Sequence, residues 1–372
     1  MGEIISQGQV QTKNTQDKIN SNINFTSKED LTLLESAQLI SANNINTTKN
    51  FNNNAQNYSI SANDFLINAQ DFNNKSMIFS NNDLTINVKN FYNFANIIAQ
   101  KNLNLNALIT LENRAEIGAN NNLNILTYGF KNSDIASNIN YKIYANNLIN
   151  LELKNLAQDV NPMILSGTII SNKDIIITGK NLLNYASINA SNDIQIIDNT
   201  KFSNGDVTNV NSEIIAGNNL DISASNDFDN YGILSAKNNL TLSSQTRNIN
   251  NLGNAKIIGG AGITTLNAVA GDINQSSSKS LIANAFLNIN AMNFINNSKR
   301  VDALVKITFN IANELINQAK STIYSNNDIE FNVINNLRNL DGSVIFAKKN
   351  IIMQKYSDTR NYQKISITLK PL

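Results

Sequence analysis

The chain lacks the residues on which most protein chemistry depends. Among its 372 residues there is no cysteine, no histidine and no tryptophan, and there are only two prolines. The absence of cysteine excludes disulfide bonds and thiolate sites. The absence of histidine excludes a Ser-His-Asp or Cys-His catalytic arrangement and any histidine-containing metal site. We therefore expect no catalytic residue, no metal site and no cofactor, and we expect the chain not to be an enzyme.

The chain also has no excess of charge of one sign and no long hydrophobic run. It contains 29 Lys and Arg against 28 Asp and Glu, a net charge of +1. The basic residues are scattered, so we expect no nucleic-acid partner. The longest apolar runs, such as Ile175–Ile177, are far too short to span a membrane. Residues Met1–Ser6 contain no apolar stretch after a basic one, so no signal peptide is predicted.

What the chain does contain is a repeat of about twenty residues. The segment Ala95–Leu105 reads Ala-Asn-Ile-Ile-Ala-Gln-Lys-Asn-Leu-Asn-Leu, and the segment Ala115–Ile125 follows the same pattern one repeat later. Further copies are Gly167–Ile177, Ala186–Ile196, Ile214–Ile222, Leu234–Leu242 and Ile345–Met353. A fixed period of this kind is typical of a solenoid, in which one small unit stacks on copies of itself.

Each repeat holds three segments. The first segment alternates small or apolar residues with polar ones, as in Ala186–Ala190; the second is Asn or Asp followed by apolar-x-apolar, as in Asp83–Ile86. The third segment is Asp or Asn, an aromatic or aliphatic residue, any residue and Asn, as in Asp71–Asn74. A period of two places alternate side chains on opposite faces of a strand. The sequence therefore predicts an all-β fold, a parallel β-helix with three short strands per turn.

The spacing of the second segments predicts roughly fifteen turns of about 19–27 residues each. In the longest intervals the extra residues are expected to loop outward, near residues 127–142, 157–164 and 198–210. We predict three regions along the chain: an irregular or degenerate leading turn at 1–29, the repeat solenoid at 30–355 and a C-terminal tail at 356–372.

The second segments also predict the core. Leu84 and Ile86 should point inward, and their equivalents in the next two repeats should lie beside them. The two inward columns are then Leu84, Leu103 and Leu123, and Ile86, Leu105 and Ile125.

The array resembles the haemagglutinin repeats of filamentous-haemagglutinin-type exoproteins, which include large surface adhesins and contact-dependent growth inhibition proteins exported by two-partner secretion. The resemblance covers about residues 30–355 and rests on the x-Ile-x-Ala, Leu-x-Leu and Asn-containing segments above. It implies a right-handed parallel β-helix in a secreted or cell-surface protein associated with adhesion and virulence. It also implies two kinds of partner, a host or bacterial surface receptor or glycan, and an outer-membrane two-partner secretion transporter acting on the full-length protein.

The resemblance leaves three functions open. The first is a structural and adhesive shaft that presents a binding surface or a distal effector. The second is a polysaccharide-active β-helix enzyme, which would need carboxylates converging in one groove; Asp328, Glu330 and Asp341 are near one another in sequence but are expected at corners and outward positions. The third is a remnant of a larger exoprotein gene, because the secretion domain with Asn-Pro-Asn motifs is not found in this sequence.

Exposed aromatic residues are the best indication of a partner contact. Tyr128, Phe130, Tyr141 and Tyr144 lie in or beside the longest interruption of the repeat. Loops on a rigid scaffold often carry recognition, so these four residues are the candidate contact. The structural alternative is that Phe130 or Tyr141 packs its own loop against the solenoid.

Overall fold

The alternating sequence forms strands throughout the part of the chain that the structure describes. The computed structural model describes residues 4–6, 9–11, 23–35, 38–40, 42–55, 58–62, 64–134, 139–154, 163–208 and 211–354. Within these residues there is no helix, and accordingly no helix that could span a membrane. The predicted all-β parallel solenoid is confirmed, with about 14 turns. The chain divides into two units, Met1–Gly179 and Lys180–Leu372.

In the first unit, the three segments of the repeat form three sets of strands. The first-segment strands are Gln9–Gln11, Gln38–Ile40, Tyr58–Ala62, Met77–Ser80, Ile97–Ala99, Ile117–Ala119, Lys142–Ala145 and Thr168–Ser171. The second-segment strands are Ile23–Ser27, Ala42–Thr47, Phe65–Asn68, Leu84–Asn93, Leu103–Asn113, Asn122–Thr127, Leu148–Leu153 and Asp174–Gly179. The third-segment strands are Ile4–Ser6, Leu31–Glu35, Phe51–Ala55, Asp71–Asn74, Phe130–Lys131 and Met163–Leu165.

The second unit repeats this arrangement. Its first-segment strands are Ser187–Ala190, Glu213–Ala216, Ile233–Ala236, Lys256–Gly259, Leu281–Ala283, Arg300–Ala303, Thr322–Ser325 and Val344–Ala347. The second-segment strands are Ile194–Asp198, Leu220–Ala224, Leu240–Ser244, Ile263–Gln275, Phe286–Asn296, Lys306–Asn317, Asp328–Val333 and Ile351–Met353. The third-segment strands are Leu182–Asn184, Phe202–Asn204, Phe228–Asn230, Ile249–Asn251 and Asn336–Asn339.

The predicted core columns are confirmed. Leu84 pairs in parallel with Leu103, and Leu103 pairs in turn with Leu123. All six predicted core side chains are at most 1% exposed. The alternation fixes the pairing register between neighbouring strands, because a register shift of one residue would turn all the apolar side chains of a strand outward.

The third segments add a column of phenylalanine side chains inside each unit. In the first unit, the rings of Phe51 and Phe72 are stacked with centroids 4.8 Å apart, and Phe91 follows at 5.3 Å. In the second unit, Phe202 and Phe228 are 5.3 Å apart. These rings are fully buried, so the aromatic position of the third segment is a core position.

A row of buried asparagines runs beside each phenylalanine column. In the first unit each Nδ2 donates to the Oδ1 of the next turn, at 2.6–2.8 Å, along Asn53, Asn74, Asn93, Asn113 and Asn132. In the second unit the equivalent row is Asn184, Asn204, Asn230, Asn251 and Gln275. Amide groups stacked in register satisfy one another in this way, so these polar side chains are buried with hydrogen-bond partners.

The prediction of three separate strands per turn is correct for some turns and wrong for others. Leu84–Asn93 and Leu103–Asn113 each join a second and a third segment in one continuous strand, as do Ile263–Gln275, Phe286–Asn296 and Lys306–Asn317. Their burial pattern keeps the alternation on both sides of a short exposed step, as at Leu108 and Ile109. The corner between these segments is therefore a bend within a strand.

The predicted outward loops are shorter than the sequence suggested. Phe202–Asn204, within the predicted loop 198–210, is a third-segment strand whose Phe202 is fully buried. Phe130–Lys131 and Met163–Leu165 are equivalent strands within or at the edge of the other two predicted loops. Outside the described residues lie 135–138, 155–162, 209–210 and the predicted tail 356–372. The predicted leading turn contributes the strand Ile4–Ser6, which pairs in parallel with Leu31–Leu33.

Candidate binding surfaces

The four predicted contact aromatics do not form one exposed patch. Phe130 is only 8% exposed and pairs with Leu111 in the third-segment column, so it is a core residue, as the structural alternative proposed. Tyr128 and Tyr141 are half-buried, and the backbone oxygen of Tyr141 accepts a hydrogen bond from the Thr168 amide at 2.8 Å. Between them, Ser133–Asp134 and Ile139–Asn140 pair as a small antiparallel hairpin.

Tyr144 points outward from the first-segment strands. Its ring lies across Gly118 of the preceding turn, where a Cβ atom would be 2.0 Å from the ring, so a side chain larger than hydrogen would displace the tyrosine. Lys142 Nζ is 4.4 Å from the ring centroid and 3.1 Å from the Glu116 carboxylate. Burial, followed by the Glu116 charge, raises the pKa of Tyr144. Tyr144 is therefore fixed in position by its neighbours.

Around Tyr144 the outer face of the first unit carries a stripe of large side chains. Successive turns place Phe79, Ile98, Gly118, Tyr144 and Ile170 in parallel register on this face. The four side chains other than Gly118 are half-buried. Through Tyr144 the stripe joins a predicted contact residue to a larger outward surface.

A second outward row in the first unit consists of amides. Asn68 Nδ2 donates to Asn46 Oδ1 at 2.6 Å, Asn87 to Asn68 at 2.9 Å and Asn106 to Asn87 at 2.7 Å. These four side chains are half-buried at the outer face of the second-segment strands. The row has the geometry of the buried asparagine row, but its outer side faces solvent.

The second unit has a polar cluster in and beside its third-segment strands Leu182–Asn184, Phe202–Asn204 and Phe228–Asn230. Tyr185 donates a hydrogen bond to Asp206 Oδ2, and Lys201 Nζ lies 2.5 Å from Asp229 Oδ2. Burial and the Asp206 hydrogen bond raise the pKa of Tyr185 to about 12. Burial lowers the pKa of Lys201, but its contacts with Asp229 outweigh that effect and the pKa is raised. At neutral pH the cluster therefore holds a neutral tyrosine and a charged lysine, each engaged with a carboxylate.

Other carboxylates serve as corner residues. Asp83 Oδ1 accepts from the backbone N–H and the side chain of Asn102 at 3.0 and 2.9 Å. Asp328 Oδ1 accepts from Asn350 in the same way, and Glu330 pairs with Lys306. Among the described residues there is no group of three Asp or Glu side chains that could hold a metal ion.

Comparisons with known proteins add no assignment. No protein-family model matches the chain, and no curated protein or solved structure matches it.

Stacked asparagines are expected to form amide ladders along the solenoid, but sequence reasoning did not identify the residues of the amide row or of the polar cluster. Asn46, Asn68, Asn87 and Asn106 each directly follow the second apolar position of the apolar-x-apolar pattern, and this register is a usable signal. The recurrence of asparagine at this position is hard to distinguish from chance, because asparagine makes up roughly a fifth of the chain. The cluster joins residues of three turns whose intervals differ, so no fixed spacing links them.

Proposed function

We propose that the chain is a structural and adhesive shaft segment of a large secreted bacterial surface exoprotein of the haemagglutinin-repeat type. Such a segment presents a binding surface, or carries a distal effector, and acts without a cofactor or a catalytic residue. The observation that supports this most directly is the turn-by-turn continuity of the buried columns in the first unit, from Phe51 to Phe91 and from Asn53 to Asn132. A solenoid stabilised by contacts between neighbouring turns can be extended by adding turns, as a shaft requires.

An adhesion assay tests the proposal. Beads coated with the purified chain are incubated with bacterial and host cells, and retention is measured under flow against beads carrying an unrelated protein of similar size. We expect retention of the chain-coated beads on at least one cell type. Retention no greater than that of the control beads on every cell type would reject the adhesive role.

The enzyme alternative has its own assay. Purified chain is incubated with neutral and acidic polysaccharides, and new reducing ends and unsaturated products are measured. We expect neither. If the wild type forms such products and a Tyr185→Phe variant does not, the shaft proposal is rejected in favour of a polysaccharide-active enzyme whose site includes the Tyr185 cluster.

The flanking coding sequence tests the origin of the segment. For a shaft segment exported by two-partner secretion, we expect a secretion domain upstream and further repeats, an anchor or a toxin downstream. Stop codons on both sides without such domains would favour the remnant.

A further inference from the structure

The amide row of the first unit forms one side of a groove. The groove has a volume of about 550 Å³ and lies where the chain bends from the second to the third segment. Residues from five successive turns line it, among them Thr47, Asn68, Gln70, Lys89, Leu108 and Leu126. It follows the direction in which turns stack, so its features repeat at the strand spacing of about 4.8 Å.

The amides in this groove have unused hydrogen-bonding capacity. An asparagine side chain has two N–H donors and two lone pairs on its oxygen. Within the row Asn68 and Asn87 each use one donor and one lone pair. The second donor and the second lone pair of each are left for a ligand, and the pattern recurs from turn to turn.

The charge of the groove is positive. Lys89 is the one charged residue among those lining it, and its exposed side chain has no ion-pair partner among the described residues. Its backbone N–H donates to the Gln70 oxygen at 2.7 Å, which fixes the base of the side chain at the centre of the groove. An ammonium group in this position favours a ligand with a carboxylate or sulfate.

The remaining lining combines polar side chains, Thr47, Thr48 and Gln70, with apolar ones. Leu108 is 51% exposed, and Val88, Ala69 and Leu126 complete the wall. A ligand suited to this surface has C–H faces, many hydroxyl groups and negative charge. An extended peptide fits less well, because the backbone groups of the underlying strands are already paired within the sheet and cannot accept a further strand.

We propose that this groove binds a linear acidic oligosaccharide, which lies along the amide row with its hydroxyl groups on Asn68 and Asn87 and an acidic group at Lys89. The proposal rests on the adhesive function proposed above and gives it a ligand class and a site. Sugar units of an extended chain are comparable in length to the strand spacing, so successive units can make equivalent contacts with successive turns.

The test is calorimetric titration of the purified chain with three probes: oligogalacturonate, a heparin-derived hexasaccharide and an oligomer of sialic acid. The variants are Lys89→Gln and Asn87→Ala, with Lys75→Gln and Asn120→Ala as controls on exposed residues outside the groove. We expect at least one probe to bind, with affinity reduced about tenfold by Lys89→Gln, the loss of one charge-assisted hydrogen bond. Asn87→Ala should weaken binding as well, and the two controls should not. Circular dichroism and urea unfolding establish that each variant is folded. If Asn87→Ala does not fold, the comparison of Lys89→Gln with wild type still tests the proposal.

If oligogalacturonate binds, its methyl ester, which has no carboxylate charge, tests the ligand's part in the interaction with Lys89. The methyl ester should bind the wild type about as weakly as unesterified oligogalacturonate binds Lys89→Gln. Absence of binding to all three probes, or binding that both groove variants leave unchanged, would overturn the groove proposal. The bead assay separates the two proposals: cell retention without such glycan binding keeps the adhesive function and rejects this site, whereas glycan binding without cell retention keeps the site and rejects the function.

Discussion

Asn93 in the buried amide row makes two hydrogen bonds that a smaller side chain cannot replace. It accepts from Asn74 and donates to Asn113, both at 2.8 Å, and it is fully buried. Asn93→Ala leaves Asn74 Nδ2 with only the Ala95 oxygen at 3.4 Å, and Asn113 Oδ1 with only the Ala115 N–H at 3.3 Å. We expect the loss of the two shorter bonds in the core to cost about 2–4 kcal/mol. Urea unfolding followed by circular dichroism measures the loss.

Asn87 provides the matched control, because it makes the same two bonds in the half-exposed row, at 2.9 and 2.7 Å. Water can replace the lost partners there, so Asn87→Ala should cost less than about 1 kcal/mol. Equal losses for the two variants would contradict the view that burial gives the inner row its importance.

Leu103 and Leu108 lie in the same strand, but the Leu103 side chain points into the core and the Leu108 side chain points to solvent. Leu103 is fully buried and Leu108 is 51% exposed. We expect Leu103→Ala to destabilise the protein by about 2–5 kcal/mol, because it removes apolar contacts and leaves a cavity. Leu108→Ala should change stability by less than about 0.5 kcal/mol. A large loss at Leu108 in the same urea experiment would show that the exposed step packs against something else.

Asp198 makes stability depend on pH. Burial raises its pKa above 3.8, although hydrogen bonds from Leu182, Thr200 and Asn181 oppose the shift. A raised native pKa means that the folded state binds the proton more tightly, so this contribution to stability is fully present below about pH 3.8 and is lost as pH rises through the native pKa. The urea midpoint of the wild type should therefore fall over this range relative to that of Asp198→Ser.

Serine is a suitable replacement because Ser244 occupies the equivalent position two turns later and accepts from the Arg247 amide. The comparison isolates Asp198, since Asp302 titrates in both proteins with a pKa raised in the same direction. Parallel pH profiles for the two proteins would mean that Asp198 does not titrate in this range.

At the scale of elements, the hairpin after Asn132 is separable from the solenoid. Ser133–Asp134 and Ile139–Asn140 pair only with each other among the described residues, whereas Asn132 donates to the Ser166 oxygen at 2.9 Å in the core. Replacing residues 133–140 by two glycines should change the urea midpoint little. A deletion from Gly129 to Asn138, inside the loop predicted near residues 127–142, removes the buried Phe130 and Asn132 and should be strongly destabilising. Equal stability of the two deletions would contradict this boundary.

The strands also show how much of the fold can be predicted from the sequence. The second-segment pairing of Leu84–Ile86 with the following repeat is predictable because strict alternation is a local property that a period reveals. The sequence places Phe202–Asn204 and Phe130–Lys131 in loops because inserted residues change the spacing there, and spacing is the only sequence guide to a position in the repeat. Pairing with Phe228 and Leu111 decides their position, and pairing is not a local property.

The candidate surfaces were less predictable than the fold. Tyr144 was singled out as an aromatic near an interruption, but its outward direction depends on the register with Gly118 and Ile170. Phe130 has the same local signal and points inward. The groove beside Asn87 depends on the bend between two segments, which composition and spacing do not determine.

At the scale of the whole molecule, neutral interactions dominate. The net charge is +1, and the stacked columns are apolar or amide. Exposed ion pairs such as that between Lys49 and Glu29 contribute about 0–1 kcal/mol each. Other pairs, such as Lys201 with Asp229, join an exposed lysine to a mostly buried carboxylate. Salt screens the exposed pairs but has little effect on buried amides.

We therefore expect the free energy of unfolding in urea to change by less than about 1 kcal/mol between low salt and about 1 M sodium chloride. Sodium sulfate at the same ionic strength should instead raise the urea midpoint, because sulfate strengthens the burial of apolar surface. The two salts thus separate screening from burial in one experiment. A marked loss of stability in sodium chloride would mean that surface ion pairs, rather than the stacked apolar and amide columns, hold the turns together.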